Sequence, residues 1–173
     1  MAAGNTYTPI ATYTAPSTQA SYTFSSISGS YTDLVLEMNI QGVTSSGSGA
    51  NTVYLEFNGD TGSNYSRTVL IGDSGGASSS RNTSQTKMSL GNAYETTPLG
   101  SIYGTLIVNL QNYSNATTYK TVVNRYSSNA DRVGLNVGLW RSTAAITSIK
   151  VTVDSANGIA QNSTLSLYGI LAA

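Results

Sequence analysis

Gly72-Asp73-Ser74-Gly75-Gly76 has the form of a nucleophilic serine set among glycines. In acyl-transfer chemistry such glycines shape an oxyanion hole, and an imidazole takes the serine proton. The chain has no histidine, so Ser74 has no base of that kind. A lysine-assisted serine would need Lys87, Lys120 or Lys150 buried beside it, and nothing in the sequence suggests that. The plainer reading is an exposed Gly/Ser loop spanning Gly72–Arg81. Carboxylates are the next candidates. Glu37 and Glu56 fall on the polar faces of predicted strands, and neighbouring strands would bring them together as the pair a glycoside hydrolase needs. A depolymerase built on them is one alternative; two solvated strand residues are the plainer one.

Asn58-Gly59-Asp60-Thr61-Gly62-Ser63-Asn64 carries oxygen-bearing side chains at alternate positions, as a calcium loop does. Its glycine is misplaced, and no bidentate glutamate closes the loop. A strand-ending turn built on Asn-Gly accounts for it better. Cysteine is absent, which removes disulfides, thiolate metal sites and cysteine nucleophiles. With histidine also missing, the usual neutral-pH base and the commonest metal ligand are gone. No catalytic, cofactor-binding or metal residue is assigned, and the expectation is a protein that is not an enzyme and needs no cofactor.

The elements that would position these groups are strands. Leu34, Leu36, Met38 and Ile40 alternate with Asp33, Val35, Glu37 and Asn39, the period-two pattern of a strand with one core face. Val53, Leu55 and Phe57 repeat it, as do Leu106, Val108 and Leu110. So do Val133, Leu135, Val137 and Leu139, read as core positions against Gly134, Asn136 and Gly138. Ile149, Val151 and Val153 follow, then Leu165 and Leu167. Weaker strands are expected at Thr6–Tyr13, Ser21–Phe24, Arg67–Ile71 and Tyr119–Val123. Turn clusters rich in Gly, Asn, Asp and Ser separate them at Thr44–Ala50, Asn58–Ser63, Gly72–Arg81, Asn112–Thr117 and Asp154–Asn162. Helical turns are expected only around Ser84–Leu90 and Thr143–Ile146. Many short strands with frequent turns predict an all-β antiparallel sandwich of jelly-roll type. It would form a single domain over residues 1–173, with residues 1–15 as an extended N-terminal segment.

Composition narrows the partners. Charged residues are 9% of the 173, against about 25% in an average soluble domain. Eight basic and eight acidic residues cancel, so no direct contact with nucleic acid or an anionic membrane is expected. Net charge near zero also removes one protection against self-association. The N-terminus has no signal-peptide pattern, and no stretch reaches transmembrane length, which predicts synthesis in a cytoplasm. Twelve tyrosines and a single tryptophan fit strands, interfaces or a carbohydrate platform. Trp140, beside Arg141 at the end of a strongly alternating strand, is expected to close one end of the core. The Asn-X-Ser/Thr triplets at Asn64 and Asn115 carry little weight in so Asn- and Ser-rich a chain.

Three stretches together resemble a known family. They are Ile27-Ser28-Gly29-Ser30-Tyr31-Thr32-Asp33-Leu34-Val35-Leu36, Leu55-Glu56-Phe57-Asn58-Gly59-Asp60-Thr61-Gly62-Ser63-Asn64-Tyr65-Ser66, and Gly138-Leu139-Trp140-Arg141-Ser142-Thr143-Ala144-Ala145-Ile146-Thr147-Ser148-Ile149, closed by Ser166-Leu167-Tyr168-Gly169-Ile170. In that order they resemble a family of tailed-bacteriophage virion structural proteins, over about Ile10 to Ile170; Gly72–Ser101 matches least. The resemblance implies a β-sandwich on the outer surface of a virion, made in the host bacterium's cytoplasm. It would be a capsid decoration (cement) protein, often a trimer, in contact with the major capsid protein or other virion proteins. A tail or fibre module binding host glycan through loop tyrosines such as Tyr65 or Tyr94 is the alternative. The family brings no catalytic residues, and no interface residue is assigned from sequence.

Overall fold

The computed structural model describes residues 6–43, 50–94, 102–128, 132–154 and 158–171. Fourteen strands and no helix occur among them. In chain order they are β1 (Tyr7–Thr14), β2 (Ser21–Phe24), β3 (Asp33–Ile40), β4 (Gly42–Val43), β5 (Ala50–Phe57), β6 (Tyr65–Asp73) and β7 (Gly76–Gln85). Then come β8 (Met88–Tyr94), β9 (Gly104–Gln111), β10 (Lys120–Ser128), β11 (Arg132–Trp140), β12 (Ile149–Val153), β13 (Gly158–Ile159) and β14 (Thr164–Ile170).

Every pairing is antiparallel. The large sheet runs β1-β14-β3-β9-β10-β11-β6-β7, a second sheet runs β2-β12-β5-β8, and β13 and β4 make a short ribbon. One core joins the two larger sheets. Leu34, Leu36, Leu106, Val108 and Leu165 supply it from the large sheet, and Val53, Leu55, Phe57, Ile149 and Val151 from the small one. The all-β antiparallel sandwich predicted from the period-two pattern is the observed fold. The N-terminal segment is sheet edge from Tyr7 onward, since β1 pairs along its length with β14.

Three local expectations are corrected. The helical turns at Ser84–Leu90 and Thr143–Ile146 do not form. Ser84 and Gln85 finish β7 and Met88–Leu90 open β8, while the Ile146 amide donates to the Tyr113 carbonyl across the end of the sandwich (2.9 Å). Second, Gly72–Arg81 is a hairpin and not a loop. β6 runs to Asp73, Ser74 and Gly75 turn the chain, and β7 returns fully exposed. Asp73 Oδ1 accepts from the Gly75 amide (2.9 Å), and Gly76 takes a φ of 112°, which glycine tolerates without strain. Sequence hid β7 because neither of its faces is buried, so no alternation marks it. The turn expected at 44–50 lies, up to residue 49, outside the described residues, as do 155–157 of the last turn.

The third correction concerns β11, whose two faces are exchanged. Val133, Leu135 and Val137 point outward, 61%, 45% and 49% exposed, while Asn136 and Trp140 are buried. Larger side chains from neighbouring strands claim the space above the glycines. A Cβ on Gly134 would run into the Tyr126 ring, and one on Gly138 into the Met88 side chain. Asn136 and its cross-strand partner Asn124 both donate to the Leu90 carbonyl, the latter at 2.6 Å. The inner face of β11 is thus a recessed seat for Tyr126, Met88 and β8. Glycine within a strand often marks such a close approach.

Candidate functional site

The residues singled out for chemistry do not converge. Ser74 lies in the exposed tip of the β6–β7 hairpin. Lys120 is buried, with Nζ donating to the carbonyls of Thr118 (2.7 Å) and Thr143 (3.1 Å). It faces Trp140, which faces Tyr65. It therefore stands at the opposite end of β6 from Ser74, roughly 25 Å away along the strand. Burial lowers the Lys120 pKa, but Ser74 lies out of its reach at the far end of β6.

Glu37 and Glu56 are not a pair. Glu37 is exposed on the outer face of the large sheet, and Glu56 lies on the outer face of the small one, with the core between them. Two packed sheets alone separate them by about 10 Å. Glu56 is 4% exposed and held by Lys150 Nζ at 3.4 Å and Lys87 Nζ at 3.7 Å. Lys87 also sits over the Tyr54 ring. This is a structural ion cluster, not a hydrolytic dyad.

The loop at Asn58–Asn64 is a corner lock. Asn58 and Gly59 take φ of 53° and 69°, turning the chain from one sheet to the other. Asp60 Oδ2 accepts from Trp140 Nε1 (2.7 Å) and Asn64 Nδ2 (2.9 Å), and its Oδ1 accepts from the Gly62 amide (2.8 Å). Burial opposes its charge, but these three donors outweigh burial and hold the carboxyl below its usual range. A carboxylate saturated by N–H donors is the reverse of a cation site. Among the described residues no group of His, Cys, Asp and Glu could hold a metal.

Tyr65 belongs to the same lock. It is fully buried, its hydroxyl donating to the Asp60 carbonyl (3.0 Å) and accepting from the Phe57 amide (3.0 Å). Burial, more than the nearby Asp60 and Glu56 charges, pushes its pKa up to about 12. It is not a loop tyrosine open to glycan; the side chain of Tyr94 lies outside the described residues. Trp140 stacks on Tyr65 and tilts against Phe57. Arg141 ties the rim, with Nη2 donating to the Ser63 carbonyl (2.9 Å).

Asn58 reaches on to the third stretch, accepting from the amides of Thr147 (2.8 Å) and Ser148 (3.1 Å). The Thr147 carbonyl in turn accepts from the Ile27 amide (3.0 Å). The three stretches that carried the resemblance therefore meet at one end of the sandwich.

What remains as a working surface is the outer face of the large sheet. Register places Leu70, Leu135, Arg125, Ile107, Glu37 and Ser166 in one row across β6, β11, β10, β9, β3 and β14. The next row holds Thr68, Val137, Val123, Asn109, Val35 and Tyr168. Leu70 is 57% exposed, beside the outward Val133, Leu135 and Val137. On these six strands the only charged outward residues are Asp33, Glu37 and Arg125. Three adjoining hollows cross the face. The largest, about 520 Å³, lies among Leu70, Arg125, Val133 and Leu135. The others continue past Ile107 and Thr105 to Glu37 and Ser166. Sequence reasoning missed this surface because it assigned the β11 valines and leucines to the core; the glycines at 134 and 138 were the signal that pointed the other way.

No protein-family model and no curated protein matches the chain.

Proposed function

We propose that this chain is a structural protein of a tailed-bacteriophage virion, a capsid decoration protein that works by contact and not by catalysis. The observation that carries this reading is the outer face of the large sheet. Four large apolar side chains, Leu70, Val133, Leu135 and Val137, stand about half exposed or more on adjacent strands. Contiguous exposed apolar surface rimmed by polar residues is the mark of an interaction site.

Strand order supports the jelly-roll form of the reading. The strands β1-β14-β3-β9 face β2-β12-β5-β8, the order that two interlocked Greek keys of eight strands produce. The hairpin β6–β7 and the pair β10–β11 are additions that widen the first sheet beyond β9. The apolar face lies on these additions, where a jelly roll can gain a contact surface without disturbing its core. A homo-oligomer, which the resemblance implies, is the proposed assembly, seated between capsomers. Apolar burial, at about 25 cal/mol per Å², would then oppose genome pressure.

Heads stripped of decoration provide the test. Adding the protein is expected to raise their rupture temperature, and Leu135→Arg is expected to abolish the effect. Failure of the folded wild-type chain to bind expanded heads would defeat the proposal. Antibody labelling of intact virions gives a second readout. Label over the head agrees with decoration, whereas label confined to the tail or fibres would transfer the reading to a fibre module.

A further inference from the structure

We infer that the outer face of the large sheet is a homotypic interface, in which Arg125 of one copy pairs with Glu37 of another. The inference deepens the proposal above: it takes the same face as a contact surface and assigns its occupant as a second copy of this chain.

Charge is the first argument. Arg125 on β10 and Glu37 on β3 face the same residue, Ile107 on β9, from either side. They stand two strand spacings apart, about 10 Å, and both point outward. Neither has an ion-pair or hydrogen-bond partner among the described residues. A cation and an anion at matched positions about a central strand make that row complementary to itself; the face's other charges, Asp33 on β3 and Arg81 on β7, lie in other rows. Turning a second copy over about an axis along β9 places its Glu37 above Arg125 and its Arg125 above Glu37. The same operation sets Val137 against Tyr168 in the adjoining row. An axis along the row would instead bring Arg125 onto its own copy, a like-charge contact.

Area is the second argument. Eight strands about 4.8 Å apart and roughly 26 Å long give a face of about 1,000 Å². A stable interface takes about 800 Å² from each partner, so most of the face must be covered and the four exposed apolar residues alone do not suffice. The trough that crosses the strands provides relief into which a facing sheet's side chains can settle. A closed pair satisfies both Arg125–Glu37 contacts, each copy giving both charges to the same neighbour, whereas a three-membered ring would need two such interfaces from one face.

The experiment is the solution mass of the purified full chain by light scattering and sedimentation, for wild type, Arg125→Glu, Glu37→Arg and the double reversal. Wild type is expected at twice 18.0 kDa. Each single reversal is expected to shift it to monomer, and the double reversal to restore the assembly. Both positions are exposed, so circular dichroism and melting of the single variants at low concentration are expected to match a folded monomer. A monomeric wild type at tens of micromolar would overturn the inference, as would single reversals that stay assembled or a double reversal that stays monomeric. Head binding separates this outcome from the broader proposal. A monomeric wild type that still decorates heads removes only the homotypic contact, whereas an Arg125–Glu37 assembly that ignores heads removes only the decoration role.

Discussion

Asp60 shows how a single carboxylate can look functional in sequence and be structural in the fold. Its oxygens collect Trp140 Nε1, Asn64 Nδ2 and the Gly62 amide, which depresses its folded pKa below 3.8. A depressed carboxyl contributes stability that is complete above the unfolded value and is lost as pH falls through the folded one. Melting temperature is therefore expected to drop as pH falls below about 4, with Asp60→Asn losing that part of the dependence. An acid limb identical to wild type in this variant would show that the lock is not ionic. Trp140→Phe keeps most of the packing but removes the donor, and is expected to cost about 1–3 kcal/mol in denaturant unfolding. Gly134 gives the complementary test. A methyl group there meets the Tyr126 ring, so Gly134→Ala is expected to destabilise by about 1–3 kcal/mol. Combining it with a smaller residue at Tyr126 should recover part of the loss.

At the level of elements, β11 and β7 carry the lessons. Period-two alternation located β11 correctly, but it does not say which of two alternating sets faces the core when one is Val-Leu-Val and the other Gly-Asn-Gly-Trp. The decision came from Tyr126, Met88 and the Leu90 carbonyl, contributed by β10 and β8. β7 is the opposite case, a strand made by hydrogen bonds to β6 alone, with all ten residues exposed. Strands with so little burial open locally at low cost. Hydrogen exchange is expected to run at least about tenfold faster in β7 than in β9, which is paired on both sides. Equal protection would mean that β7 is covered, for example by another copy on its free edge.

For the whole molecule, the proposed assembly would link folding to association. If copies associate through the large sheet, melting temperature rises with protein concentration, because association favours the folded state by mass action. Leu135→Arg is expected to remove that dependence while leaving the dilute melting temperature nearly unchanged, since the residue is already 45% exposed. A concentration-independent wild type would count against assembly by this face. The low charge of the outer face, four groups (Asp33, Glu37, Arg81 and Arg125) on eight strands, makes such association less costly than it would be for an average surface.

The sequence by itself determined the fold class, most strand positions and the core faces of β3, β5, β9, β12 and β14. Alternation is a local property, and burial on one face writes it directly into neighbouring residues. The lack of histidine and cysteine likewise limited the available chemistry without any coordinates. Tertiary structure alone decided that Glu37 and Glu56 stand on opposite faces, that Tyr65 is buried at a corner, and that β11 turns its apolar side outward. Each of these depends on which distant strand lies opposite. Residues far apart in the chain, such as Tyr126 over Gly134 or Trp140 on Asp60, compete for the same space, and that competition has no signature in local periodicity.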